Sequence, residues 1–108
     1  MRKRTEDKIV WFLSQMNHYG MLVAWDDETV DDFVAKFPEA EKSLIYYVIG
    51  HHVSPMLNRI ANLAYSMRLV EPGSVGNTDA RSYNRKTWAR TWSITKKGRE
   101  YLILKTTQ

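Results

Sequence analysis

The sequence predicts a mostly helical α+β fold in a single domain, residues 1–108, with helices packed around a two- to three-stranded sheet. Three observations lead there. Apolar residues recur at helical spacing along much of the chain. A polar, glycine-containing stretch from Ser74 to Lys86 separates Leu69-Val70 from an alternating run that ends at Ile94. A chain of 108 residues, 44% hydrophobic and 26% charged, has material for one core and no room for a separate catalytic domain.

Each element has its own signal. Ile9, Phe12, Leu13 and Met16 give helix 1 over residues 5–18, and Gly20 suits its left-handed end. Met21 to Trp25 is short and apolar, enough for a minimal strand. Asp26, Asp27 and Thr29 offer capping oxygens and first-turn negative charge to a second helix, with Val30, Phe33, Val34 and Phe37 as its stripe and Pro38 as its stop. From Glu39 to Ile49, Leu44, Ile45, Val48 and Ile49 crowd the circumference around Tyr46 and Tyr47, which predicts a buried third helix closed by Gly50. His51, His52 and Val53 read as a turn. Ser54-Pro55 is a cap residue followed by proline at the first helical position, a sharp start for a fourth helix.

At about 100° per residue, Val53, Leu57, Ile60, Ala61, Ala64 and Met67 share one side of that helix. Pro55, Asn58, Arg59, Asn62 and Ser66 share the other. Leu69-Val70 leads into Pro72-Gly73 and the polar loop. Trp88, Trp92 and Ile94 then alternate with Ala89, Thr91 and Ser93 as a strand whose apolar side is interrupted by Arg90. Thr95 caps a last helix holding Tyr101, Leu102 and Leu104.

Composition narrows the function classes. The absence of cysteine excludes disulfides and thiolate metal sites, and a reducing, cytoplasmic setting is expected. The apolar run Ile9–Leu13 is too short for a signal-peptide core, and no segment is long enough to span a membrane, so no membrane partner is expected. Net charge is +4, but it is unevenly placed. Residues 26–42 carry seven acidic and two basic side chains, whereas residues 68–108 carry nine basic and three acidic. A polyanion would meet the C-terminal third and avoid the acidic middle.

The predicted order is helices, a helix–turn–helix, a strand, a polar basic loop, a second strand and a closing helix, which resembles the winged-helix fold. Ser54-Pro55-Met56-Leu57-Asn58-Arg59-Ile60 running to Leu69-Val70, then the loop, then Trp92-Ser93-Ile94-Thr95-Lys96-Lys97-Gly98-Arg99-Glu100-Tyr101-Leu102, is similar to the pattern of PadR and MarR-type regulators over about residues 39–103. There a serine-capped recognition helix runs into a leucine-valine strand, and the second wing strand ends in a threonine–x–x–glycine helix start. Arg68 stands where those families usually carry glycine. The resemblance implies a winged helix-turn-helix with a two- to three-stranded wing sheet and a dimeric transcriptional regulator that binds double-stranded DNA. The helix supporting the recognition helix is either 27–37 or 39–49, with the Gly50 turn favouring the second.

The chemistry of the residues agrees with that partner. Arginine pairs bidentately with guanine in the major groove and asparagine with adenine. Ser54, Asn58, Arg59 and Asn62 are therefore the candidate recognition-helix contacts. Arg81, Arg85 and Lys86 on the loop, with Arg90 at its base, are the candidate wing contacts to phosphate or a minor groove. A plain solvated face explains the polar arc equally well by itself; its combination with a basic loop favours DNA. Homodimer contacts are expected at the terminal helices, through Trp11, Phe12, Tyr101 and Leu104.

Other chemistries find less support. Adjacent His51 and His52 in a turn share an ion poorly, and His18 is distant. Asp26, Asp27, Glu28, Asp31 and Asp32 lack the spacing and central glycine of a calcium loop. No phosphate-binding glycine loop, nucleophile elbow or serine–histidine–aspartate set can be assembled, so no enzyme, metal or cofactor is expected. Two alternatives stay open. One is a winged-helix protein-interaction adaptor whose acidic segment docks a basic partner. The other is a single-strand binder stacking bases on Tyr65, Tyr83 and Trp88.

Overall fold

A computed structural model describes residues 1–24, 26–42, 46–48, 51–73 and 89–107. Four helices form where caps and apolar spacing favour them. The first, α1 (Lys3–Tyr19), stops at Gly20, whose φ of 76° is the left-handed conformation that glycine adopts without strain. That turn sends the chain straight into β1 (Met21–Val23). Asp26 caps α2 (Asp27–Lys36) by accepting the Glu28 N–H at 3.2 Å. Ser54 caps α3 (Pro55–Ser66) by accepting the Leu57 N–H at 3.2 Å, with Pro55 in the first position. Thr95 caps α4 (Lys96–Thr106) by accepting the Gly98 N–H at 3.0 Å.

The segment between α2 and α3 departs from the expected helix over 39–49. Pro38–Lys42 forms a 3-10 turn, and two strands, β2 (Tyr46–Val48) and β3 (His51–Val53), pair antiparallel with Tyr46 opposite Val53. The physical reason lies in the run itself. A short, continuous apolar stretch lacks a period that separates helix from strand, and Ile45, Tyr46, Tyr47, Val48 and Ile49 are the β-branched and aromatic types that favour a pleated surface. The two histidines expected in a turn lie in β3. Consequently α2 is the helix that precedes α3 among the described residues, and 18 residues, 37–54, separate them in place of a short turn.

A three-stranded antiparallel sheet in the order β1-β5-β4 completes the fold, which is α+β and mostly helical. The central strand β5 (Thr91–Ile94) pairs Trp92 with Leu22 of β1 and Ile94 with Val70 of β4 (Val70–Pro72). Trp92 and Ile94 point inward, while Ala89 is buried and Arg90 exposed. The inward side therefore changes between Ala89 and Trp92, and the strand is shorter than the alternation from position 88 suggested. Trp88 lies outside the described residues.

The core sits between α1, α3 and the sheet. Ile9, Phe12, Leu13 and Met16 of α1 are fully buried, with Leu57, Ile60, Ala61 and Ala64 of α3 facing them. Trp92 is its largest fully buried side chain. Its ring meets Phe12 edge-on at 6.5 Å and Tyr65 at 5.9 Å, geometries that favour aromatic pairs. The Trp92 Nε1 has no hydrogen-bond partner among the described residues. A second aromatic group, Trp11, Phe33 and Phe37, joins α1 to α2 with centroid separations of 5.4 to 6.3 Å.

Where α3 hands over to β4, Arg68 takes a φ of 63°, the left-handed conformation that glycine would occupy without penalty. The turn is fixed by Leu69 N–H donating to the Ala64 carbonyl at 2.9 Å. Thr95 then ties this corner to the start of α4. Its hydroxyl donates to the Arg68 carbonyl at 2.8 Å, and its N–H donates to the Leu69 carbonyl at 3.0 Å. Gly98 lies so close that an added Cβ would overlap the Leu69 carbonyl oxygen and stand 2.8 Å from Ile94 Cγ1.

Gly98→Ala is therefore expected to lower stability by about 1–3 kcal/mol, through overpacking against backbone. Thr95→Ala should lower it by about 1–2 kcal/mol, through loss of the cap and of the bond to Arg68. Urea unfolding followed by circular dichroism measures both, and an unchanged midpoint for Gly98→Ala would contradict the close approach.

Candidate nucleic-acid interface

The outward side of α3 is narrower than its sequence suggests. Arg59 is exposed. Asn62 is half-buried, and its Nδ2 donates back to the Asn58 carbonyl at 2.9 Å, so part of its hydrogen-bonding capacity is used along the helix. Asn58, placed by periodicity on the polar arc, is only 5% exposed. The correction has a simple cause: packed neighbours cover more of a helix than its own apolar stripe, and Asn58 adjoins buried Leu57 and Ala61. Ser54 is likewise buried at 2% exposure, its hydroxyl occupied as the cap. Two of the four expected recognition-helix residues thus serve the fold, and Arg59 and Asn62 remain at the surface.

Of the expected wing contacts, Arg81, Arg85 and Lys86 lie outside the described residues. Arg90 is exposed, and its carbonyl accepts the Ala24 N–H at 2.8 Å, which pins the backbone at the end of the sheet.

Cations divide into two groups by their partners. Near the N-terminus, Arg4 forms a two-pronged contact with Glu39, Lys8 reaches the same carboxylate at 3.2 Å, and Lys3 reaches Asp7 at 3.4 Å. Arg4 holds the Glu39 carboxyl down at about 2, chiefly through these hydrogen bonds. Arg4 and Lys8 also lie over the Phe37 ring, with 4.7 Å from the Arg4 guanidinium carbon to the centroid. At the end of α4, Lys105 pairs with Glu6 at 3.2 Å. By contrast, Arg59, Arg68, Arg90, Lys96, Lys97 and Arg99 are exposed and make no side-chain ion pair with a described residue.

The sequence motif contains Arg68, Lys96, Lys97 and Arg99 without marking them as site residues. A signal for them existed. Arginine at a glycine-favouring position and two lysines just inside a helix start are both locally unfavourable choices.

The acidic residues gather elsewhere. Asp26, Asp27, Glu28, Asp31 and Asp32 are exposed at the start and along the outer side of α2. Asp26, Glu28 and Asp32, together with Trp11, Met21 and Leu22, line a cavity of about 360 Å³ between α1, β1 and α2. Among the described residues no group of three histidine, aspartate or glutamate side chains is placed to hold a metal ion. No helix of the described residues is long and apolar enough to cross a membrane. No protein-family model, curated protein or solved structure matches the chain.

Burial separates the roles of two neighbours on α3. Asn58→Ala is expected to lower stability by about 1 kcal/mol or more because it empties a packed position, whereas Arg59→Ala should stay within about 0.5 kcal/mol of the parent. Thermal or urea unfolding of the two variants decides it, and the opposite order would place Asn58 back on the surface arc.

Proposed function

We propose that this chain is a winged-helix protein that binds double-stranded DNA, as a transcriptional regulator, with α3 as the recognition helix. The observation that carries the reading is topological. The helix α3 runs directly into β4, which pairs with β5 across a basic connecting stretch, and β5 is flanked by β1 on its other side. The helix–strand–loop–strand order is the one the winged-helix resemblance implies, while the short helix–turn–helix it also implies is replaced by α2 and an 18-residue connection that carries β2 and β3. Arg59, exposed on α3, is the side chain suited to a guanine edge, and Asn62 stands one turn further along. Arg90 and, on the loop, Arg81, Arg85 and Lys86 supply sequence-blind contacts to phosphate. No catalytic step is part of this reading.

Dimerisation belongs to the same proposal, because one small module binds modestly and two half-sites multiply the effect. Ile103 and Leu104 of α4 are 62% and 57% exposed and support pairing through that helix. Phe12, expected at the same contact, is instead fully buried in the core, and Trp11 is half-covered by Phe33 and Phe37. The pairing surface therefore rests on α4 more than on α1.

One observation favours the adaptor as a second reading. The acidic face of α2, beside a cavity with an apolar wall, suits a basic segment of a partner protein better than it suits nucleic acid.

Titration of a labelled duplex from low to physiological salt separates the two. Binding to DNA predicts an affinity that falls with a log–log slope of about −0.9 per phosphate neutralised. On the preferred duplex Arg59→Ala should lose about 1–3 kcal/mol and on random duplex little. A weak, salt-insensitive affinity would favour the adaptor.

A further inference from the structure

We infer that a second phosphate-contacting surface lies where the end of α3 meets the start of α4, carried by Arg68, Lys96 and Lys97, and that it grips the backbone of duplex DNA without reading sequence. This rests on the duplex-binding proposal and adds residues to it.

Three observations converge on one small region. The first is proximity. Thr95 bonds to the carbonyls of Arg68 and Leu69, and Gly98 abuts the Leu69 carbonyl, so Arg68 and the Lys96-Lys97 pair emerge from backbones in direct contact. The second is availability. All three side chains are exposed, and none makes an ion pair with a described residue. Glu71 of β4 and Glu100 of α4 are the carboxylates nearest in sequence, and neither neutralises them. The cations of α1 and the last turn of α4, by contrast, are paired.

The third observation is that each residue is unfavourable for the fold where it stands. Arg68 adopts a left-handed φ of 63°, where glycine would be relaxed. Lys96 and Lys97 occupy the first two positions of α4, whose first turn holds no acidic residue. The positive end of the helix dipole disfavours cations there and would favour aspartate or glutamate. Ordinary stability selection gives glycine at the first position and acids at the others. Three locally unfavourable cations, adjacent and without an ion pair to a described residue, point to a polyanion as the group that compensates them.

The test combines stability and binding in the intact chain, using Arg68→Gly, Lys96→Gln, Lys97→Gln and the triple variant. Thermal unfolding should show a higher midpoint for Arg68→Gly and no loss for the lysine variants. Affinity for a labelled random-sequence duplex should fall with each change, in parallel with affinity for a preferred duplex. The salt slope should shrink by about one unit per residue removed. A residue with a merely structural role would not give higher stability together with weaker, less salt-dependent binding. If the parent binds duplex and the triple variant matches it in affinity and slope, the inference is overturned while the broader proposal stands. Loss confined to the preferred duplex would also overturn it. A parent that binds no duplex overturns both.

Discussion

Thr95 ties the exit of α3 to the start of α4. Its hydroxyl both accepts the Gly98 N–H, starting α4, and donates to the Arg68 carbonyl, while its own N–H satisfies the Leu69 carbonyl. The exit of α3, the residue before β4 and the first turn of α4 are thereby tied to one residue. Everything outward of this corner inherits its geometry. Ile94 pairs with Val70 one residue from Thr95, and Trp92, two residues earlier, fills the centre of the core against Phe12. The absence of a side chain at Gly98 is what lets the helix start approach the Leu69 backbone.

Electrostatics divide the molecule in a way that composition alone conceals. A net charge of +4 is unremarkable by itself. Its distribution carries more information: Asp7, Glu39 and Glu6 pair with the basic residues of α1 and of the end of α4, while Arg59, Arg68, Arg90, Lys96, Lys97 and Arg99, on α3, at the end of the sheet and at the start of α4, are exposed without an ion pair to a described residue. The acids of α2 form a separate surface. A polyanion would meet attraction on the first surface and repulsion on the second.

Much of the fold was legible because capping and breaking residues act locally. Gly20, Asp26, Ser54-Pro55 and Thr95 each bound a helix within a residue or two of where their chemistry placed it. The segment 39–49 was not legible as a helix or a hairpin by period, since an unbroken apolar run satisfies both, and the β-branched and aromatic content was the deciding signal. The outward face of α3 was half legible. Periodicity placed Arg59 outward, but it placed Asn58 outward too, and only tertiary packing shows that Asn58 is covered. The cations at Arg68, Lys96 and Lys97 were legible one by one, as an arginine at a glycine position and two lysines after the Thr95 cap, but their adjacency depends on the Thr95 bonds to the Arg68 and Leu69 carbonyls, which only the fold supplies.

Amide-resolved nuclear magnetic resonance of the isotope-labelled chain, titrated with duplex DNA at low salt, tests the central claim most directly. Saturable shifts are expected at Arg59 and Asn62 on α3, at Arg68 and at Lys96 and Lys97, with the amides of Asp27 to Asp32 on α2 undisturbed. Shifts centred on α2, or none at any duplex concentration, would contradict it.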